Sequence, residues 1–429
     1  MELPLRDICE FINGGPWSDS EYTDSGIRVV KVTNMQNGTI VSRKDDDYLP
    51  LSKHEKYRKH ELKTDDIVIA TVGSHPTQPG SVVGRTSLIP ASHSGSFLNQ
   101  NAVCLRVKRS DKFCQRYLFY LSNTVLFKHH IESRARGSAN QVRMALGELK
   151  KFTADYPSNQ IQKKIAAILS AYDELIGCNK RRIALLEKLA EDIYREWFVR
   201  FRFPGHDKVK VVKGIPKGWE PQTLGSFARE IKMGVKKKDL TDDEKYLGLE
   251  HIPRRSIAID EWTTASTVDS NKLCFQERDI LFGKIRPYLH KVAFAHFSGV
   301  CSSDTIVIRP KEKIYEGYLL FTVFSDTFIE LATIASKGTK MPRADWEFLK
   351  KLDLIVPDRN LLEVYQAQFE EIFSQIVNLL RANELLTSLR DRLLPRLISG
   401  NLPVEKLDIQ FPPGMAEELK AETKAATHA

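Results

Sequence analysis

The sequence predicts an α+β protein: two mixed α/β globular domains separated by two long antiparallel helices forming a coiled-coil spacer, with an internal pseudo-twofold repeat. Three observations predict it. The chain resembles itself at long range, each copy ends in a long heptad-spaced segment, and each stretch before that segment alternates short apolar runs with turns.

The self-match is clearest around residues 150 and 350, at an offset of 200. Leu149-Lys150-Lys151 faces Leu349-Lys350-Lys351, and Leu185-Leu186 with Leu189 faces Leu385-Leu386 with Leu389. Earlier matches need small gaps: Asp66-Ile67-Val68 against Asp279-Ile280-Leu281, and Asn101-Ala102-Val103 against Asp304-Thr305-Ile306. Phe11 to Gly15 likewise resembles Glu230 to Gly234. A period this long excludes a solenoid and indicates a duplicated module.

The helices follow from spacing. After Pro157, apolar residues fall at Ile165, Leu169, Tyr172, Ile176, Ile183, Leu186, Ala190, Ile193 and Trp197, a 4-3 alternation broken at Asn179. After Pro357 they fall at Leu362, Tyr365, Phe369, Ile372, Ile376, Leu379, Leu386, Leu389 and Leu393, broken at Asn383. About 40 residues at roughly 1.5 Å rise make a rod on the order of 60 Å. The globular parts supply strand candidates at Ile67–Ala70, Ala102–Val107, Ile280–Gly283 and Thr305–Ile308, with helical stretches near 113–127 and 315–334. The expected organisation is a first domain over 1–157, a central helix over 158–203 and a linker over 204–218. A second domain over 219–356, a distal helix over 357–400 and a flexible tail over 401–429 follow.

Composition excludes several classes. The chain is 42% hydrophobic and 28% charged, an ordinary globular balance, and its net charge of +9 favours a polyanionic partner. Its six cysteines are scattered without a CxxC pair, which suits reduced thiols rather than zinc or disulfides. The N-terminus, MELPLRDICEF, lacks an apolar signal core, so a cytoplasmic location is expected. No phosphate loop, dinucleotide fingerprint, HExxH or GxSxG occurs, nor an Asn/Asp-Pro-Pro-aromatic tetrapeptide of the kind that holds an extruded base. Glu61-Leu62-Lys63 and Glu148-Leu149-Lys150 are E-x-K fragments without a visible partner acid, and His129-His130 reads as a helix end rather than a ligand pair. The expectation is no catalysis, no metal and no cofactor in this chain.

Binding remains. Lys236, Lys237 and Lys238 follow Gly234, where the backbone can approach a surface closely and ammonium groups can neutralise phosphates; a solvated lysine loop is the alternative. After a strand candidate, Lys284, Arg286, Tyr288 and Lys291 offer donors able to read base edges. The counterpart in the first module offers Ser74, His75 and Gln78, polar instead of basic. A third pair of segments, with Asn140 and Arg143 in one copy and Lys340 and Arg343 in the other, combines glycine, a hydroxyl and arginine just before each long helix.

The stretch Asn179-Lys180-Arg181-Arg182-Ile183 through Tyr194-Arg195-Glu196-Trp197-Phe198-Val199 resembles a known family. So do Arg200-Phe201-Arg202-Phe203-Pro204-Gly205-His206, Gly214-Ile215-Pro216-Lys217-Gly218-Trp219 and Leu389-Arg390-Asp391-Arg392-Leu393-Leu394-Pro395-Arg396. The family is the DNA-specificity subunit of type I restriction-modification systems, and the resemblance spans essentially the whole chain. It implies two target-recognition domains, each reading half of a split double-stranded DNA site. It also implies two methyltransferase subunits and two motor-nuclease restriction subunits as partners, with S-adenosylmethionine, ATP and Mg2+ on those partners. The aromatic helix end then has two readings: a local core capping the rod, or a partner dock formed by Trp197, Phe198 and Phe201. Two rivals stand beside this reading. One is a single-chain methylation or restriction enzyme with a degenerate site; the other is a coiled-coil scaffold that never touches DNA.

Overall fold

The computed structural model describes residues 2–74, 81–137, 142–336, 338, 341–413 and 415. The chain divides into two compact units, Met1–Leu175 with Leu386–Ala429, and Ile176–Leu385. Both long helices cross that division, so each unit owns part of each helix.

In the first unit the relevant elements are β1 (Cys9–Asn13), β2 (Ile67–Ala70), β3 (Val72–Gly73), β4 (Thr86–Leu88), β5 (Ala102–Val107), α1 (Gln115–Leu121), α2 (Val125–Arg134), β6 (Val142–Arg143) and the long helix α3 (Asn159–Tyr194). The sheet places β1, β5, β2 and β4 side by side, continued by Thr39–Ile40 and Met35–Gln36. β5 is central and buried, which its run Ala-Val-Cys-Leu requires, and it pairs antiparallel with both neighbours. α1 and α2 cover one face through Tyr117, Leu118 and Phe127, and Ile165 and Leu169 of α3 join the same core.

The second unit repeats this arrangement with β7 (Ala228–Ile231), β8 (Ile280–Gly283), β9 (Val292–Phe294), β10 (Thr305–Pro310), α4 (Glu316–Phe324), α5 (Asp326–Ile334) and α6 (Arg359–Ile398). Its sheet order, β7, β10, β8, β9, matches β1, β5, β2, β4. A buried ion pair recurs at the same place. Arg106 Nε donates to Asp66 Oδ1 at 2.8 Å, and Arg309 Nε to Asp279 Oδ1 at 2.6 Å. Each aspartate also accepts a backbone N–H three residues upstream, from Lys63 and from Gln276, at 2.7 Å. Charge-assisted bonds on every side make a buried carboxylate tolerable, and they explain why this aspartate starts the strand in both copies.

Within each unit the helix segments run antiparallel. In the first, Arg390 Nη1 meets Asp173 Oδ1 at 2.5 Å; in the second, Trp197 packs on Tyr365 with ring centroids 5.7 Å apart. The helices correspond one turn further along than the leucine match suggests. Gln162 and Gln366 each accept a backbone N–H near the start of a domain helix, from Cys114 and Gly317, and they share the 204-residue separation of Asn179 and Asn383. Leu185 and Leu385 are 69% and 59% exposed, so their match at an offset of 200 does not mark the seam.

The helix end needs a correction. α3 closes in a π-helical turn, Arg195–Val199, and Phe201 takes a left-handed φ of 57°. This turn drives Trp197 and Phe198, each 7% exposed, into the core of the second unit. Phe198 lies 4.7 Å from Tyr365 and 5.1 Å from Tyr318 between ring centroids, and Phe201 and Phe203 flank Trp219. Burial leaves Trp197 and Phe198 no apolar face for a partner, and Phe201 is committed to Trp219. In the expected tail Val404 and Met415 are buried in the first unit, whereas residues 414 and 416–429 lie outside the described residues. Lys164 Nζ donates to the carbonyls of Glu405 and Leu407 at 2.8 and 2.7 Å. No single helix among the described residues is long and apolar enough to cross a membrane.

Candidate nucleic-acid interface

Strand register collects the candidate segments at one end of each sheet. In the second unit Gly283 pairs with Thr305 and Ile231 with Val307, so β7 and β8 end where β10 begins. The chain leaving β8 is gripped by the segment preceding the long helix. Ile285 bridges Arg343, Arg286 N–H donates to Pro342 O at 2.8 Å, and Ala344 N–H donates to Lys284 O at 3.0 Å. Two segments about 60 residues apart, each selected for its glycine and basic residues, thus form one surface. The first unit does the same. Val142 pairs with Gly73 and Arg143 with Val72, while Met144 N–H donates to Thr71 O at 2.9 Å. β1 reaches this end through Gly14, where an added Cβ would sit 1.9 Å from the Asn99 carbonyl oxygen; only glycine permits that approach.

The side chains then separate into groups. Arg286 and Tyr288 are exposed, Tyr288 by 54%. Arg343 is exposed with Nε 3.3 Å from Asp304 Oδ1, and Lys284 Nζ donates to Ser303 O at 3.3 Å. Lys291 is withdrawn: it is half-buried, its Nζ donates to Leu249 O, and burial together with neighbouring Arg254 lowers its pKa. That corrects its assignment to the reading surface, since a captured, partly desolvated ammonium has little left for a base edge. Lys237 is tied to Asp269 at 2.6 Å, whereas Lys236 and Lys238 are exposed and form no ion pair among the described residues. Arg143 is exposed in the first unit, and the carbonyl of Ser74 accepts from Ser81 Oγ at 2.7 Å. His75, Gln78, Asn140 and Lys340 lie outside the described residues.

Sequence reasoning missed Arg254, which bridges Lys291 beside the same tip and is exposed. Its only signal was the Pro253-Arg254-Arg255 run. Beneath the tip, His290 is buried against Phe324 at 4.7 Å, and burial lowers its pKa, with Arg255 adding to the effect. Among the described residues no group of three or more His, Cys, Asp or Glu could hold a metal ion. The arrangement offers hydrogen-bond donors, positive charge and an exposed ring on a rigid base.

The family described as type I restriction modification DNA specificity domain matches residues 1–188 and 216–389, one stretch per module. The chain is 25% identical over 309 residues to the type I restriction enzyme MjaIX specificity subunit of Methanocaldococcus jannaschii, covering 69% of this chain and 71% of that one. It is 28% identical over 171 residues to the Escherichia coli EcoDI specificity subunit, covering 37% of this chain and 38% of that one. In three dimensions it is similar to the type I S subunit from M. genitalium, with TM-score 0.54 and 14% identity over 92% of this chain and 95% of that one. The chain belongs to the type I restriction modification DNA specificity family, as a specificity subunit and not a catalytic one.

Proposed function

We propose that this chain reads a two-part DNA site, one half per module, and directs adenine methylation and restriction by partner subunits. One observation carries the reading. The two modules present corresponding segments at the same end of the same sheet, yet the sequences there differ, Gly283-Lys284-Ile285-Arg286-Pro287-Tyr288 in one and Gly73-Ser74-His75-Pro76-Thr77-Gln78 in the other. A common scaffold with different tips suits two modules reading different sequences. Lys236 and Lys238 supply contacts that do not depend on sequence. Two modules present two equivalent platforms, which supports two methyltransferase subunits carrying S-adenosylmethionine and two restriction subunits using ATP and Mg2+.

The test is a genome-wide map of methylated adenines in cells carrying this chain with its partners. A two-part motif with a fixed unspecific gap is the expected result. Exchanging residues 176–385 for those of a relative should change one half of the motif and leave the other, because distant sites couple weakly. A change in both halves would sink independent reading.

A further inference from the structure

We infer that Arg286 determines specificity in the second module and that the half-site it reads contains a guanine, contacted at its major-groove edge. This rests on the reading just proposed. Arg286 has φ 51°, in the left-handed region that side chains with a Cβ disfavour. Such strain in a non-glycine residue persists only where something holds it there.

For six of the seven other described non-glycine residues of positive φ the local support is visible, and the seventh, Asn37, is a residue type that tolerates this region. Arg278 donates to Glu316 at 2.9 Å, Arg255 lies 2.9 Å from Asp326, and Asp65 lies 3.0 Å from Arg116. Phe201 packs on Trp219 and His290 on Phe324. Lys213 shares a two-residue hairpin turn with Gly214 between Val211–Val212 and Ile215–Pro216, where left-handed backbone is the norm. The Arg286 side chain makes no such interaction with the described residues. Its backbone is fixed instead, by its N–H on Pro342 O and by Leu289 N–H on its own carbonyl, each at 2.8 Å. Pro287 stiffens the next position, and His290, also left-handed at φ 53°, closes the turn. A strained, rigid backbone therefore presents an exposed guanidinium without a partner among the described residues, next to exposed Tyr288 and one bridge from Arg343.

The chemistry selects the target. A phosphate also accepts the guanidinium fork, but that contact is served equally by a mobile lysine or arginine and does not need a strained, fixed backbone. Guanine presents O6 and N7 as paired acceptors, which a directed guanidinium meets with two parallel N–H donors, the commonest specific contact in the major groove. Loss of such a contact relaxes base preference by about 5- to 150-fold.

The experiment uses Arg286→Gly, which occupies φ 51° without strain, and Arg286→Asn, which also tolerates that region, as a second variant. The full chain is presented with random duplexes, the bound fraction is sequenced, and the methylation map is repeated with the partners. The expected result keeps the first half-site and the gap, and loses the requirement for one G·C pair in the second half. Retention of every base preference, with uniformly weaker binding and a shallower salt dependence, would make Arg286 a phosphate contact and overturn the inference. So would a wild-type second half-site without any G·C pair. A wild-type chain giving no two-part motif would instead remove the functional reading, and the inference with it.

Discussion

Asn179 Nδ2 donates to Asn383 Oδ1 at 2.9 Å, joining the two long helices where their apolar alternation is interrupted. The neighbouring seam residues Ile183, Leu379 and Leu380 are buried and apolar. A paired amide inside an apolar seam satisfies itself at one register only, so its effect is on alignment more than on stability.

Replacing Asn383 alone with Leu strands the Asn179 amide and should cost about 1–3 kcal/mol in chemical denaturation. Replacing both with Leu should be neutral or stabilising. In the methylation map the double variant should broaden the distribution of gap lengths. A sharp, unchanged gap would mean that the seam needs no polar register mark.

Lengthening both helices tests the spacer as a ruler. One heptad inserted after Asn179 and one near Asn383 keeps the apolar stripes in phase. Each adds about 10.5 Å of rise, close to three base pairs at about 3.4 Å per step. We predict unchanged half-sites and a gap longer by roughly one to three base pairs. An active variant with the original gap would show that the helices do not set it.

The lysine loop has two free members, not three. Changing Lys236 and Lys238 to Ala should weaken specific and random DNA alike and flatten the slope of log K against log salt by up to about 1.8, at roughly 0.9 per contact. Adding Lys237→Ala should change the slope little further, since that ammonium already faces Asp269. Titrations at several salt concentrations measure this directly.

Stability should fall with acidity through His296. Burial, then Lys245 and Arg381, push its pKa down to about 4. The unfolded ring titrates near 6.5, so below that pH the unfolded chain takes up a proton that the folded one refuses. The contribution is complete above about pH 6.5 and is lost as pH falls towards 4, on the order of 3 kcal/mol in total. Denaturation from pH 7 to 4.5 should show the decline, and His296→Gln should flatten it.

Local signals made much of this fold legible. Asp66-Ile67-Val68 and Asp279-Ile280-Leu281 occupy equivalent strands because each run specifies both a buried strand and its ion pair. The heptads announced the helices. What stayed hidden was non-local: nothing in Thr71 to Ser74 indicates pairing with Val142-Arg143, since a two-residue strand has no pattern to read. Lys291 looked like its neighbours, but only the fold shows its stem turned inward to Leu249. The aromatics after Tyr194 were visible as a cluster; their inward aim depends on the π-turn, which adds a residue and rotates the face.

The division of the chain inside its helices has a genetic consequence. A crossover between related genes just after the π-turn, beyond Val199, and at the end of α6 would set Trp197 and Phe198 from one parent against Tyr318 and Tyr365 from the other, mixing two halves of one core. A crossover near codons 175 and 385 transfers an intact core, and it falls in heptad sequence where a join between parents keeps the apolar stripe. Breakpoints between relatives should therefore gather inside the helix-coding stretches. Lineages recombining there would acquire a new DNA target in one event, with no need for compensating change elsewhere in the chain.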